Sequence, residues 1–401
     1  MKINQHIFVL ALLAEATMGL TSCGDKFLEE DLITQKSTDN YKTQKGLDEL
    51  VTGAYQKLKF KFNYIWAIEC YNMGIDEFTS GANNMTGWNA YSPSLNSTET
   101  GANQPMWDNM YGLVEPANIL ISNIPQYYSQ SSANYNTRLG EAYFLRAYAY
   151  FELVKQFGGV PLKLNPSKGV ETVFTRNSLE DCYKQIIDDF EKAYSLLPEK
   201  AAQTGRITKS AAAHFLAKAH LFRASELYDD WNSSYKSTDL DAVIKYGKEV
   251  IATHPLCQDF GQLWDYQKAN GDNEKVSEVV LAAQFSDDKA TWGRYGNQMH
   301  LYFPSVYQNL SGCIRDISGD REFCYVSATE YSMQVFDRVN DSRFWKSFIT
   351  TYNCNSTKGA PTYSADDAAY LPDDKQVGDK RFVGKEIGVK YIVNNPGDTR
   401  F

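Results

Sequence analysis

The sequence lacks the spaced metal ligands and the glycine-rich loops that many enzymes carry. None of its 7 cysteines forms a Cys-x-x-Cys pair, and the pattern His-Glu-x-x-His does not occur. His214 and His220 are six residues apart, so they lie on different faces of a helix. A Gly-x-Ser-x-Gly elbow, a P-loop and a Rossmann glycine pattern are also missing. We therefore predict no catalytic residue, no bound metal and no cofactor.

Two adjacent carboxylate pairs, Asp76-Glu77 and Asp287-Asp288, come nearest to an acid–base site. Neighbouring side chains in a sequence do not face each other across a substrate, as the two carboxylates of a glycosidase must. A pairing of distant carboxylates stays open. The sequence nevertheless favours a protein that is not an enzyme.

An excess of positive charge is missing as well. The chain has 40 Lys and Arg against 49 Asp and Glu, which gives a net charge of −9. Such a chain repels phosphate backbones, so we exclude nucleic acid as a partner, whereas a neutral ligand such as a sugar suits this charge. Aromatic residues are plentiful, with 27 Tyr, 21 Phe and 7 Trp. Most are expected in the core, and a few exposed rings would form a surface for ligand stacking.

The first 22 residues have the pattern of an export signal. Lys2 precedes an apolar run over residues 7–13, which is too short to span a membrane. Residues 20–23, Leu-Thr-Ser-Cys, resemble the lipobox of bacterial lipoproteins, so residues 1–22 are predicted to be a lipoprotein signal peptide. Cys23 would then carry a diacylglycerol and a further acyl chain such as palmitate, because one chain anchors only marginally. An ordinary secretory signal with a coincidental cysteine is the alternative.

Helical periodicity follows a polar tether over residues 23–45. Ser178, Thr208 and Thr238 are predicted N-caps, because a hydroxyl in that position accepts an early backbone N–H. The predicted helices cover residues 46–60, 107–124 and 137–157, the stretch between Ser178 and Pro198, residues 209–227, and the stretch between Thr238 and Pro255.

A weak internal repeat lies within these helices. The pattern Ala-x-Phe-Leu that begins at Ala142, followed by Phe151, recurs 71 residues later at Ala213, followed by Phe222. This offset is near two units of the ~34-residue tetratricopeptide (TPR) repeat. Two unrelated amphipathic helices would give the same match by chance.

The predicted fold class is mainly α, with TPR-like stacked helix pairs supporting a loop-rich second region that has a few short strands. The scaffold is predicted over residues 46–255, with a loop insertion at 62–106. Residues 256–401 are predicted to be the loop-rich, ligand-facing region, because Gly, Asn, Asp and aromatic residues replace the helical pattern. Within it, Val276–Phe285 is predicted to be a strand or a buried run.

Two segments of the helical region resemble the signatures of a known family. Residues 140–162, GEAYFLRAYAYFELVKQFGGVPL, and residues 205–224, GRITKSAAAHFLAKAHLFRA, are similar to the central motifs of the SusD/RagB family. The resemblance implies a lipoprotein on the extracellular side of the outer membrane. It would capture oligo- or polysaccharide for a SusC-like TonB-dependent transporter, although some relatives bind peptides. The family normally continues beyond the point that residue 401 reaches, which implies that its C-terminal helices are missing here.

Two segments offer the flat rings and polar groups that sugar recognition needs, residues 83–91 and 287–295. Arg146, Arg206 and Lys209, inside the family motifs, are assigned to structural ion pairs or caps. Each tryptophan could instead merely hold its loop against the scaffold. The predicted ligand platforms are Trp88, Trp292 and Tyr295, and the predicted hydrogen-bonding residues around them are Asn89, Asp76 and Arg294.

Three classes of function remain open at this stage. The leading hypothesis is a non-catalytic glycan-binding lipoprotein. The second is a protein-interaction scaffold or peptide-binding lid of the same transporter type, since TPR-like stacks often bind proteins. The third is a surface glycan hydrolase.

Overall fold

A computed structural model describes the chain over most of the helical region and over parts of the remainder. The predicted signal peptide with Cys23 lies outside the described residues, as do Trp292, Arg294 and Tyr295. The described residues are 38–63, 65–81, 86–98, 101, 103–264, 272–285, 297, 302–303, 325–337, 339–347, 352–353 and 381–382.

Helices dominate the described residues, and the strands are short. The helices are α1 Gln44–Tyr55, α2 Phe60–Asn63, α3 Ile65–Asn72, α4 Thr86–Asn89, α5 Asn103–Tyr127, α6 Tyr135–Phe157, α7 Leu179–Leu196, α8 Lys209–Arg223, α9 Lys236–Thr253, α10 Glu330–Gln334 and α11 Arg343–Ser347. Short 3₁₀ turns cover Thr38–Lys42, Gln56–Lys59, Glu226–Tyr228, Phe260–Trp264 and Asp272–Lys275. Strand β1, Phe78–Ser80, pairs antiparallel with β2, Val326–Ala328, and β3, Tyr352–Asn353, pairs antiparallel with β4, Arg381–Phe382.

Helices α5 to α9 pack against one another in chain order, which confirms the predicted mainly α, TPR-like fold class. The two copies of the internal repeat lie side by side. The rings of Phe144 and Phe215 are 5.2 Å apart, and those of Phe151 and Phe222 are 5.3 Å apart. Matching positions therefore contact each other along α6 and α8, which run parallel, with α7 packed against both. The two copies of the sequence repeat are therefore neighbours in the structure, with matching residues in contact.

Local hydrogen bonds explain where these helices begin. The hydroxyl of Ser178 accepts from the backbone N–H of Asp181 at 3.0 Å, and that of Thr208 accepts from Ala211 at 3.4 Å. Both predicted N-caps are confirmed. Helix α1 begins two residues before its predicted start, because Thr43 caps it. Helix α8 ends at Arg223, and a 3₁₀ turn follows.

The predicted N-cap Thr238 is wrong. Helix α9 already begins at Lys236, and the Thr238 hydroxyl donates to the Tyr235 carbonyl at 2.8 Å. Helix α9 starts there because of a contact with another helix. The buried carboxylate of Asp239 accepts two hydrogen bonds from Arg223 of α8, at 2.7 and 2.9 Å, and must therefore point from the first turn of α9 toward α8.

Of two stretches without a predicted helix, the first differs from expectation and the second follows one of its two predicted alternatives, the buried run. Within residues 62–106, predicted as a loop insertion, the chain forms α3, β1 and α4. Val276–Phe285 forms no strand ladder, and its Val280 and Leu281 pack, half-buried, against the helical core. The hydrophobic run therefore serves packing rather than sheet formation.

A buried ion pair joins the middle of the stack. The guanidinium of Arg146 on α6 donates to both carboxylate oxygens of Asp189 on α7, each at 2.8 Å. It also donates to the side chain of Asn118 on α5 at 3.0 Å and to the carbonyl of Leu164 at 3.1 Å. A bidentate pair of this kind fixes geometry as well as charge.

The other two basic residues of the family motifs also have structural partners. Arg206 lies 3.4 Å from a carboxylate oxygen of buried Glu141, and Lys209 lies 3.0 Å from Glu199. The assignment of all three basic residues to structural ion pairs is confirmed. Among the described residues, no helix is both long enough and apolar enough to cross a bilayer.

Asp189→Asn is expected to lower the free energy of unfolding by about 3 kcal/mol, because it leaves the buried Arg146 guanidinium without a charged partner. The matched control is Asp188→Asn on the same helix. Asp188 pairs with Lys192 at the surface, where the two side chains are 51% and 45% exposed. That change should cost about 1 kcal/mol or less. Urea denaturation followed by circular dichroism measures both, and equal losses would contradict the role given to Arg146.

Candidate ligand-binding surface

The β1–β2 pair brings two distant parts of the chain together. Phe78 lies opposite Ala328, so the two strands are 250 residues apart in sequence. Ile68, Phe303 and Val326 are buried in one hydrophobic cluster next to this pair. The segment after α3 and the segment around β2 therefore form one surface at the edge of the helical scaffold.

A tight turn precedes β1 at Gly74. Its φ of +70° is in the left-handed region, and a Cβ added there would lie 2.8 Å from the Tyr91 hydroxyl oxygen. That hydroxyl donates to the Gly74 carbonyl at 2.5 Å. Only glycine combines this conformation with so close an approach. The contact holds the Tyr91 ring beside residues 74–77, which we call the turn segment.

The other end of the turn segment is held by the start of α10. The Thr329 hydroxyl donates to the Asp76 carbonyl, and the Ser332 hydroxyl donates to the Glu77 carbonyl at 2.7 Å. Thr329 is also the N-cap of α10, since its hydroxyl accepts from the Ser332 backbone N–H at 3.2 Å. Tyr331 lies between these two anchoring residues.

Two exposed tyrosines therefore belong to the two segments that contact the backbone of the turn segment. Tyr91 is 71% exposed and Tyr331 is 57% exposed, and both lie next to anchored backbone. Asp76 and Glu77 of the turn segment are also exposed. Apolar ring faces beside free carboxylates provide the two kinds of contact that a sugar needs, which are stacking against C–H groups and acceptance of hydroxyl hydrogen bonds.

The predicted residue Trp88 has a different environment. It is half-buried, and it packs against both the main helical core and the cluster beside the strand pair. Its indole N–H is buried and finds no acceptor among the described residues. These contacts favour the alternative that Trp88 holds its loop against the scaffold.

The other predicted site residues differ in their exposure and in whether the structure describes them. Asn89 is half-buried, and its amide donates to the Thr79 hydroxyl on β1 at 3.2 Å. Asp76 is exposed and forms no ion pair with any described residue. Trp292, Arg294 and Tyr295 lie outside the described residues, so the structure does not relate them to the turn segment.

Sequence reasoning missed both exposed rings. Tyr91 lies within residues 83–91, a predicted binding segment. The prediction favours Trp88 there, because its ring is larger. Tyr331 carries a usable signal, because it directly follows a Thr-Glu helix start. In the part of the chain that the structure describes, no group of three or more His, Cys, Asp or Glu side chains converges as a metal site would.

The comparisons with known proteins all find SusD-like relatives. Residues 26–221 match the model of a SusD-like family described as starch-binding and associating with the outer membrane. The SusD-like protein P38 of Formosa agariphila is 31% identical over 213 residues, which is 52% of this chain and 39% of that protein. The SusD-like protein P2 of the same organism is 23% identical over 386 residues, which is 88% of this chain and 71% of that protein. The chain thus spans only part of the length of these relatives.

Solved structures share the fold. A SusD homolog from Bacteroides thetaiotaomicron has a TM-score of 0.66 at 17% identity, covering 92% of this chain and 69% of its own. A laminarin-binding SusD-like protein has a TM-score of 0.62 at 17% identity, covering 77% of this chain and 66% of its own. A structure with a xylogluco-oligosaccharide has a TM-score of 0.59 at 22% identity, covering 76% and 57%. At these identities the likeness shows the fold alone.

Trp88→Ala is expected to lower the free energy of unfolding by about 2–3 kcal/mol, because it opens a space between two hydrophobic clusters. Tyr91→Ala removes an exposed ring and one hydrogen bond, and should cost about 1 kcal/mol. Urea denaturation followed by circular dichroism measures both variants. A larger loss for Tyr91→Ala than for Trp88→Ala would show that these two environments have been assigned the wrong way round.

Proposed function

We propose, on the premise that this chain belongs to the SusD-like family, that it binds a glycan at its surface without cleaving it. The observation that carries the proposal is that two exposed rings, Tyr91 and Tyr331, belong to the segments that hold the turn segment, whose Asp76 and Glu77 are exposed. The similarity of residues 26–221 to SusD-like proteins supports the same function. So do the ligands of two structural neighbours, laminarin and a xylogluco-oligosaccharide.

The proposed recognition combines stacking with hydrogen bonds. A sugar ring places its C–H face on an aromatic face, and carboxylates accept its hydroxyl groups. One aromatic contact contributes only about 0.5–1.5 kcal/mol beyond area burial, so several contacts must act together. Trp292 and Tyr295 as further platforms, and Arg294 as a donor, remain part of this proposal. A firmly anchored tyrosine loses little conformational freedom on binding, which favours affinity.

Catalysis is not part of the proposal. Asp76 and Glu77 are adjacent in sequence, whereas the two carboxylates of a glycosidase stand on opposite sides of the bond that they cleave. Release of reducing sugar by the purified chain would revive the hydrolase alternative.

Tyr91→Ala and Tyr331→Ala are each expected to weaken glycan binding about fivefold, the effect of losing one stacking contact. Affinity electrophoresis against a panel of polysaccharides finds the ligand, and calorimetry with its oligosaccharide measures the change. Tyr127→Ala is the matched control, because this partly exposed tyrosine lies at the end of α5, on the scaffold. Trp292→Ala tests the proposed further platform.

Two outcomes would contradict this proposal. If neither tyrosine variant binds more weakly than Tyr127→Ala, the turn segment is not the binding surface. If no glycan retards the chain and a peptide does, the peptide-binding alternative takes its place.

We further propose that Cys23 is lipidated, that the chain faces the extracellular side of the outer membrane, and that it delivers its ligand to a SusC-like TonB-dependent transporter. Purification of the tagged chain from detergent-solubilised outer membrane tests all three. The unaltered chain should fractionate with the membrane and bring a large β-barrel protein with it, and external protease should cleave it on intact cells. Cys23→Ala should leave the membrane fraction, because all of its acyl chains are lost. A membrane-bound Cys23→Ala protein would refute the lipid anchor.

A further inference from the structure

Three lysines, one each on α2, α6 and α8, lie near enough to one another to interact electrostatically. Lys61 on α2 places its ammonium 4.6 Å from the centre of the Tyr71 ring, and Lys155 on α6 lies 5.9 Å from the same centre. Lys155 is also 5.9 Å from the Phe222 ring of α8, and Lys218 lies one turn earlier on that helix. All three lysines are half-buried. We call Lys61, Lys155 and Lys218 the lysine cluster.

Among the described residues, one carboxylate interacts with all three lysines. Glu152 is buried and lies 2.7 Å from the Lys155 ammonium. Neither Lys61 nor Lys218 is within ion-pair distance of a carboxylate among the described residues. Three positive charges therefore face one negative charge, which leaves a local charge of +2.

The surrounding groups do not cancel this charge. Burial lowers the pKa of His214, and the neighbouring Lys218 lowers it further, so this histidine stays neutral at pH 7. Burial and the nearby Glu152 raise the pKa of Tyr71 well above its ordinary value, so it stays neutral as well. The aromatic rings attract the ammonium groups, but they carry no charge.

The pKa values of two of the lysines reflect this excess of positive charge. Burial lowers the pKa of Lys61, and Lys155 and Lys218 lower it further against the opposing effect of Glu152. Burial also lowers the pKa of Lys218, and Lys155 adds to the effect. A partly buried charge without an opposite partner is costly, and a bound anion would remove that cost.

We propose that the lysine cluster is a binding site for an oxyanion, which its three ammonium groups contact together. An ammonium is a compact charge with three donors, so a cluster of three suits the oxygens of a sulfate, a phosphate or a carboxylate. The source is either a free inorganic anion or the acidic group of a saccharide. The residues are distinct from those of the proposed glycan surface, so either proposal can fail alone.

Titration calorimetry of the full chain with sodium sulfate at pH 7 tests the site, with chloride at equal ionic strength as reference. Lys218→Met keeps the apolar stem and removes the charge, and it should weaken sulfate binding about fivefold. Glu152→Gln should tighten binding by a similar factor, because it removes the carboxylate that faces the three lysines. The control is Lys192→Met, a surface lysine on α7, which should change nothing. Opposite effects from two neighbouring residues cannot arise from a general loss of folding.

A second measurement separates binding from a structural role. Without sulfate, Lys218→Met should melt at the same or a higher temperature than the unaltered chain, because it relieves repulsion. A lower melting temperature would make Lys218 a structural partner and overturn the proposal. Sulfate binding that is absent, or unchanged in both cluster variants, would overturn it too. Binding of glucuronate as well as sulfate, without binding of glucose, would identify an acidic saccharide as the source, and binding of sulfate alone a free anion.

Discussion

The buried Arg146–Asp189 ion pair is the interaction on which the helical scaffold depends. One guanidinium joins α6 to α7 directly, to α5 through Asn118, and to the Leu164 carbonyl of the α6–α7 connection. Tyr150 reinforces the same connection, because its hydroxyl donates to the Lys163 carbonyl and accepts from the Lys163 N–H. A buried charge tolerates few other arrangements, since any displacement leaves it unpaired. The three helices and the connection between them therefore have one relative placement.

The rigid helical scaffold supports the proposed binding surface. Strand β1 follows a scaffold helix by a few residues, and β2 pairs with it from 250 residues further along the chain. The pairing joins two parts of the chain that are far apart in sequence, and the hydrophobic cluster beside it and the hydroxyl contacts to the turn segment stabilise it. The result is backbone that is held at both ends and presents Tyr91 and Tyr331 to solvent. Binding residues on anchored loops of a rigid scaffold are a common arrangement.

Net charge and local charge act at different scales in this molecule. The chain carries −9 overall, which disfavours phosphate-rich polymers. The lysine cluster nevertheless carries a local excess of positive charge in a half-buried position, where screening by salt is weaker than at the surface. A small anion can therefore be attracted to one site of a protein that repels polyanions as a whole.

The sequence alone determined the helical fold class and the approximate positions of the main helices, because these follow from contacts within about four residues. Apolar spacing located the helices, and Ser178 and Thr208 cap their own helices. Tertiary structure decided the exceptions. Thr238 fails as a cap because Asp239 must meet a side chain on α8. Trp88 is half-buried and Tyr331 stands beside the turn segment because distant segments pack there. Exposure of a ring is set by neighbours far away in sequence, and no local pattern records them.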